Sequence, residues 1–149
     1  MYTENKNIVR RLYDEVWNKR KLDLVAELIS PSHALLDPFV SGSQVGPKLY
    51  RRRILELTAS FPDLRFTLDD LIAEKDKVVA SWVISATHKG DFMNIPATGK
   101  KVSVEGITIH YVRNGKILDS NARWDAVGLL RQLGAFPPLG RSKEAASKG

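Results

Sequence analysis

The dipeptide Asn114-Gly115 limits the folds open to this chain more than any other feature, because it separates two segments with the composition of β-strands. Both of its residues tolerate the positive φ that a two-residue hairpin turn needs. The first arm, residues 102–112, is rich in Val, Ile, Thr and Tyr. The second arm, residues 116–124, leads into a short apolar segment that Gly134 ends. The sequence therefore predicts a long β-hairpin followed by a short helix.

The spacing of apolar side chains changes along the chain. Helical spacing predicts three helices, over residues 5–18, 22–29 and 47–61. The second of them is predicted to end at Ser30-Pro31, because the residue before a proline avoids the helical region. From residue 64 the period is two, and residues 78–88 alternate as a half-buried strand does. Helices that precede strands indicate the α+β class, with an antiparallel sheet formed after Pro62.

Length and composition favour one small domain. The chain has 149 residues, and we assign residues 1–136 to a single domain and residues 137–149 to a flexible basic tail. Cysteine is absent, which excludes disulfides and thiolate chemistry and suits a cytoplasmic protein. No apolar run approaches the ~20 residues that a membrane-spanning helix needs, so we expect no membrane partner.

The charged and metal-ligating residues predict neither a nucleic-acid partner nor a cofactor. The net charge is +6, but the basic residues are divided between the tail and segment 48–53, whose three consecutive arginines point in three directions. The three histidines lie 55 and 22 residues apart, so they lack the short spacing of a metal site. A glycine-rich phosphate loop is also absent. We therefore expect no metal and no nucleotide.

Four ionisable side chains are candidates for acid/base chemistry or for structural roles. Asp37 lies between apolar residues and is either solvated at a strand end or held in an apolar pocket, where desolvation favours its protonated form. His88 shares a strand face with Trp82 and is either a pocket base or a rim histidine bonded to the backbone. His33 is predicted to be solvated in a loop, and Asp125 to cap the last helix.

Six short sequence markers follow one another along the chain. They are Ile8-Val9-Arg10-Arg11, Gly46-Pro47-Lys48, His88-x-Gly90, Pro96-Ala97-Thr98-Gly99, Asn114-Gly115-Lys116-Ile117 and Gly128-Leu129-Leu130-Arg131-Gln132-Leu133-Gly134. In this order they resemble the SnoaL-like polyketide cyclases, a family of the nuclear transport factor 2-like superfamily. The resemblance covers about residues 5–136.

The resemblance implies a cone-shaped α+β roll of the nuclear transport factor 2-like or cystatin-like type. In such a roll, N-terminal helices pack in a curved antiparallel sheet around a small-molecule pocket. The family's aldol ring closure needs no cofactor, since a carboxylate and a histidine of the hairpin handle the protons. One face of the sheet is left uncovered, and a homodimer through that face is predicted. Its apolar residues would be Val79, Val83, Ile107 and Ile109.

This chain departs from the family at both chemical positions. When the turn at Asn114-Gly115 is superposed without gaps, the family's aspartate falls on Ala122 and its histidine on Thr108. Neither side chain serves as a poised general base. The pairing of the hairpin stays open, since a bulge at the turn shifts it by one residue. With the bulge, His110, Ser120 and Trp124 face the pocket beside Thr108; without it, Asn121, Arg123 and Asp125 do.

Two hypotheses follow for the function. In the first, the chain is a cofactor-independent enzyme that cyclises, isomerises or opens an epoxide in a hydrophobic, oxygenated small molecule. Its predicted catalytic residues are His88, His110 and Asp37, which lies where the related ketosteroid isomerases carry a proton-shuttling aspartate. In the second, the protein binds such a molecule without transforming it, because the acid/base pair is missing. The predicted pocket residues are Tyr13, Trp17, Phe39, Tyr50, Trp82, Phe92, Thr108, Ala122 and Trp124.

Overall fold

Three α-helices lie in the first 60 residues, and a fourth lies near the end of the described residues. The computed structural model describes residues 2–39 and 44–135. Helix α1 continues without a break into a π-helical segment, Leu12–Asn18, which carries Tyr13 and Trp17 into the interior. A 3₁₀ turn, Leu22–Leu24, precedes α2. The α-helices are α1 (Tyr2–Arg11), α2 (Val25–Leu28), α3 (Pro47–Ser60) and α4 (Ala126–Gln132).

One mixed sheet of six strands packs its inner face on these helices. Its strand order is β2-β1-β6-β5-β4-β3. All neighbouring pairs are antiparallel except β1 and β6, which run parallel. Most even-numbered side chains of β4, such as Val78 and Trp82, are buried, as the alternation predicts, while Ile84 is half-buried. The strands are β1 (Ile29–Leu36), β2 (Gln44–Val45), β3 (Arg65–Glu74), β4 (Lys77–Thr87), β5 (Lys101–Arg113) and β6 (Lys116–Trp124).

The α+β class is confirmed, but the expectation that all strands follow Pro62 is wrong. The chain leaves α2 at Leu28 and enters β1 directly, so Ser30-Pro31 lies inside a strand. Proline cannot donate to a ladder, and Pro31 falls where the pairing of β1 with β6 is interrupted, between Ile29 and Ala34. The prediction of a solvated loop at His33 is therefore also wrong, because His33 lies on β1 with 1% exposure.

The hairpin turns at Asn114-Gly115 as predicted, with φ of 54° and 78°. Val112 pairs with Ile117, but Tyr111 pairs with Asp119, so Leu118 is an extra residue in β6. This bulge places Thr108 opposite Ala122 and His110 opposite Ser120. The bulged alternative is thus the correct one, although the bulge lies within β6 rather than at the turn. Ser120 and Ala122 are buried, whereas Arg123 is exposed.

The predicted ends of α3 and α4 are confirmed. Helix α3 begins with Pro47 after Gly46 and stops at Phe61, before Pro62. Asp125 caps α4, since its Oδ1 accepts the Gly128 N–H at 2.8 Å. A Cβ on Gly128 would lie 2.1 Å from the Asp125 carboxylate, so this cap requires glycine there. Gly134, with a φ of 77°, follows the helix as expected.

Two further expectations concern the domain boundary and membrane-spanning helices. The boundary at residue 136 and the basic tail lie outside them, so that division stays a prediction. Among residues 2–39 and 44–135, no helix is both long enough and apolar enough to cross a membrane.

Candidate active site

A cavity of about 100 Å³ lies between the inner face of the sheet and the helices. Its wall is mainly aromatic and aliphatic, with a few polar side chains. Two of the three predicted catalytic residues, Asp37 and His110, lie on it, whereas His88 does not. Eight of the nine predicted pocket residues also lie on it: Tyr13, Trp17, Tyr50, Trp82, Phe92, Thr108, Ala122 and Trp124. The polar side chains that sequence reasoning did not place in the pocket, or left open, are Arg53 and Ser120.

Asp37 follows the last residue of β1, so it stands at a strand end, yet its side chain is only 10% exposed. Its Oδ1 accepts the Phe39 backbone N–H at 2.9 Å and lies 3.4 Å from a guanidinium nitrogen of Arg53. Its Oδ2 accepts the Trp124 indole N–H at 3.1 Å. The sequence neighbours of Asp37 are apolar, but its surroundings in the fold include polar groups. The carboxylate is held by three donors.

Arg53 reaches the cavity because of its position on α3. It lies three residues after Tyr50 and four before Leu57, so the three side chains share one face of the helix. All three lie on the cavity wall, while Arg51 and Arg52 are exposed. Only 14% of the Arg53 side chain is exposed. The helical spacing of Tyr50, Arg53 and Leu57 is the signal that would have separated Arg53 from its two neighbours.

Besides the contacts of Asp37, hydrogen bonds connect four buried side chains that come from four different elements. The Tyr13 hydroxyl is 2.8 Å from His110 Nε2. His110 Nδ1 is 2.7 Å from Ser120 Oγ, and this oxygen is 2.9 Å from His33 Nε2. The four residues are each at most 3% exposed. We refer to Tyr13, His110, Ser120 and His33 as the inner hydrogen-bond chain.

Burial keeps the ionisable groups of the inner hydrogen-bond chain neutral. It lowers the pKa of His110 from the ordinary 6.5 to about 3, and the nearby His33 adds to that effect. Burial lowers the pKa of His33 to about 4. It raises the pKa of Tyr13 and of Tyr50 above the ordinary value of 10. At neutral pH the inner hydrogen-bond chain therefore consists of neutral imidazoles and hydroxyls.

Thr108 is fixed by an indole. Trp82 donates its Nε1 proton to Thr108 Oγ1 at 3.0 Å, and both side chains lie on the cavity wall. Trp82 lies across Gly106, where an added Cβ would be 2.4 Å from the indole ring. Thr108 already accepts one hydrogen bond, so its own hydroxyl proton remains to be donated elsewhere.

His88 and Phe39 lie outside the wall to which the sequence assigned them. His88 is fully buried, and its Nδ1 accepts the Thr98 backbone N–H at 3.2 Å. This contact matches the backbone-bonded alternative, although the residue is in the interior rather than at a rim. Phe39 packs against Trp124 and Phe92, with ring centroids 4.7 and 5.9 Å apart. It therefore supports the wall from behind.

The ligand types that bind metals are not gathered in the described part of the chain. No group of three or more His, Cys, Asp or Glu side chains there could hold a metal ion. The two histidines of the inner hydrogen-bond chain already have their neighbouring nitrogens engaged with Ser120.

Comparison with known proteins gives the family. The model of the SnoaL-like polyketide cyclases matches residues 7–133. The chain belongs to this family. As a SnoaL-like protein it is 31% identical, over 133 residues, to the aklanonic acid methyl ester cyclase DauD of Streptomyces sp. (strain C5), covering 86% of this chain and 80% of that one. It is 28% identical, over 119 residues, to the nogalonic acid methyl ester cyclase of Streptomyces nogalater, covering 79% and 89%.

Solved structures agree with this assignment. TsrD of Streptomyces laurentii superposes on the SnoaL-like chain with a TM-score of 0.81 at 28% identity, covering 91% of this chain and 98% of that one. A SnoaL-like protein of Jannaschia sp. CCS1 gives a TM-score of 0.83 at 22% identity, covering 92% and 95%, which supports the fold alone. The predicted roll is confirmed by these neighbours.

Proposed function

We propose that this SnoaL-like protein is a cofactor-independent enzyme in which Asp37 removes a proton next to a carbonyl of a hydrophobic polyketide-type molecule. One observation carries the proposal: a carboxylate with 10% exposure lies on the wall of a mainly aromatic and aliphatic cavity. A general base must be fixed within reach of the bound molecule. The backbone N–H of Phe39, the Trp124 indole and Arg53 fix the Asp37 carboxylate in that way.

The sheet pairing supports the same residue. Leu36 pairs with Asn121 on the adjacent strand, so Asp37 comes next to Ala122, the position where the resemblance places the family's aspartate. Neighbouring strands are about 4.8 Å apart. The carboxylate is thus offset from the family position by about one strand spacing, and the small side chain of Ala122 leaves space for a ligand beside it.

The reaction that fits these groups is enolisation followed, in a cyclase, by ring closure. Asp37 takes a proton from the carbon next to a carbonyl, and the negative charge moves to the carbonyl oxygen. The guanidinium of Arg53 stabilises that charge electrostatically. The enolate carbon then attacks a second carbonyl carbon of the same molecule, and the new alkoxide takes the proton back from Asp37. Atoms and charge balance without a cofactor.

The named relatives supply the first substrate to test, since their names specify aklanonic and nogalonic acid methyl esters. We expect the protein to convert aklanonic acid methyl ester, or a related ester, to an isomer of equal mass that chromatography separates. Asp37→Asn should lower turnover by roughly 100-fold or more, because the base is lost while the shape is kept. Asp125→Asn is the matched control: an asparagine amide oxygen caps α4 as the carboxylate does, so both stability and turnover should stay close to wild type. Wild-type turnover in Asp37→Asn would disprove the assignment.

A binding protein is the second candidate, and the pair Thr108 and Ala122 favours it, since neither residue transfers a proton. Trp17, Trp82 and Trp124 lie on the cavity wall, so their fluorescence should report a bound ester. Saturable quenching by the ester, with neither conversion nor exchange of its acidic C–H protons in deuterated water, would favour the binder over the enzyme.

The uncovered sheet face supports the predicted homodimer as a further part of the proposal. Ile107 and Ile109 are 46% and 36% exposed there, next to Val79 on β4 and Ile72 on β3. One row across the strands runs from Asp70 through Ser81 and Ile107 to Arg123. A two-fold axis parallel to the strands brings the acidic end of this row opposite the basic end of a second copy.

Sedimentation at tens of micromolar tests the dimer. We expect a dimer for the wild type and a monomer for Ile107→Lys, since the lysine places a charge in the middle of the apolar face. Leu55→Lys, at an apolar position that is 51% exposed on α3 rather than on the sheet, is the control and should remain dimeric. A monomeric wild type would refute the dimer and leave the proposed chemistry untouched.

A further inference from the structure

The inner hydrogen-bond chain connects the cavity to the first strand. Tyr13, His110 and Ser120 lie on the cavity wall, and His33 continues the chain onto β1. The three links measure 2.8, 2.7 and 2.9 Å, and the side chains are at most 3% exposed. The proposed reaction uses none of the four residues. Buried polar groups of this kind are expected to satisfy one another completely.

Counting protons shows that the chain has two arrangements. Each neutral member carries one polar hydrogen. Ser120 Oγ lies between His110 Nδ1 and His33 Nε2, and its single hydrogen can be donated to only one of them. It must accept from the other. The two histidines therefore always carry their hydrogen on the same type of nitrogen, Nδ1 in one arrangement and Nε2 in the other.

The two arrangements differ in what Tyr13 offers to the cavity. With hydrogens on Nδ1, His110 Nε2 accepts the Tyr13 hydroxyl proton, and Tyr13 presents only oxygen lone pairs to the cavity. With hydrogens on Nε2, His110 donates to the Tyr13 oxygen, and the Tyr13 proton turns toward the cavity. The Thr108 hydroxyl beside Tyr13 already accepts the Trp82 indole N–H, so without a ligand this buried proton lacks a good acceptor and the first arrangement is favoured.

We propose that a ligand oxygen in the cavity switches the inner hydrogen-bond chain to the second arrangement and receives a hydrogen bond from Tyr13. In the switch, one proton enters at Tyr13 and one leaves at His33 Nδ1, both exchanged with water, so both histidines are neutral before and after. Tyr13 is then the donor to a carbonyl or enolate oxygen. His110, Ser120 and His33 are positioning residues. The inference rests on the proposed function only for the ligand being oxygenated, and its test needs no turnover.

The test uses cyclohex-2-enone, a small apolar ketone with a single carbonyl oxygen that can accept a hydrogen bond from Tyr13 on the cavity wall. Nitrogen-15 NMR of histidine-labelled protein reports the tautomers, and the infrared carbonyl stretch of the probe reports the donor. Without the probe, we expect hydrogen on Nδ1 of both His33 and His110. With the probe, both should change to Nε2 together, and the carbonyl stretch should shift to lower frequency.

Variants separate this role from a structural one. Tyr13→Phe should abolish the carbonyl shift and the probe-dependent tautomer change. Tyr50→Phe is the matched control: this buried phenol also lies on the cavity wall but bonds Trp17, so the tautomer change should persist. Ser120→Ala should uncouple the two histidines while each remains neutral. Asp37→Asn should keep the switch, so its failure in turnover tests only the proposed function.

Three results would overturn the inference. The first is opposite tautomers of His33 and His110 in the wild type. The second is the absence of both the tautomer change and the carbonyl shift at high millimolar probe. The third is a tautomer change that survives in Tyr13→Phe.

Discussion

Acid should destabilise this protein through the two histidines of the inner hydrogen-bond chain. The pKa of His33 falls from the ordinary 6.5 to about 4 on burial, and that of His110 to about 3. Between pH 6.5 and 4 the unfolded chain therefore binds a proton at each histidine and the folded chain does not. Because the unfolded state binds more protons there, the free energy of unfolding falls as the pH falls.

The size of the effect follows from the proton count. One extra proton in the unfolded state changes the free energy of unfolding by about 1.4 kcal/mol per pH unit, so two change it by about 2.7. Each unfolded histidine is half protonated at pH 6.5, so from there to pH 5 the two together amount to roughly 3 kcal/mol. This is a large part of the roughly 5–15 kcal/mol that stabilises a typical domain. The slope should be half of its full value at pH 6.5 and should fade within about one pH unit above it.

Urea unfolding at pH steps from 5 to 7.5 measures this slope. His110→Gln and His33→Gln each remove one titrating group, and each should reduce the slope by about 1.4 kcal/mol per pH unit. Both variants lose buried hydrogen bonds, so their stability falls at every pH, but the slope reports the proton alone. All other ionisable groups are the same in the wild type and in both variants, so their contributions to the slope cancel in the comparison. Equal slopes in wild type and variants would refute the reasoning.

Two packing predictions concern the floor of the cavity. Gly106→Ala should destabilise the fold by about 1–3 kcal/mol, since an added Cβ would lie 2.4 Å from the Trp82 indole. Urea unfolding checks it against Gly115→Ala, where space is open and only the φ of 78° opposes the change. Ala122→Asp should be less stable than the wild type at pH 7, and this difference should shrink as the pH falls toward 4, because the change sets a second carboxylate beside Asp37. A difference in stability from the wild type that is the same at every pH would exclude that proximity.

Local patterns were sufficient to predict most elements of this fold. The turn at Asn114-Gly115, the start of α3 at Gly46-Pro47 and the cap at Asp125 each depend on residues that are neighbours in sequence. Strand β1 was missed because Ser30-Pro31 ends helices in most contexts. Here its proline falls in a gap of the ladder that only the pairing with β6 reveals.

The site was less predictable because its contacts are distant in sequence. Ile117 and Leu118 are adjacent and both apolar, so either could face the core, and the alternation does not locate the bulge. Arg53 meets Asp37 across 16 residues, and His33 meets Ser120 across 87. Such contacts depend on how α3 and β1 pack against the hairpin. Aromatic pocket residues were easier to place, because large apolar side chains at inward positions must be buried somewhere.

The sheet rows suggest how the cavity keeps acid/base groups without the family's pair. Ala122 and Thr108 lie in one row across β6 and β5, Asp37 follows the end of β1 beside that row, and Ser120 and His110 lie in the next row. Relative to the positions that the resemblance assigns, the carboxylate is one strand away and the histidine is two residues along β5. Both side chains still point to the inner face, because the displacement preserves the strand period of two. Compared with an acid/base pair at positions 108 and 122, Asp37 and His110 lie at other points of the cavity wall. They therefore approach a ligand from different directions.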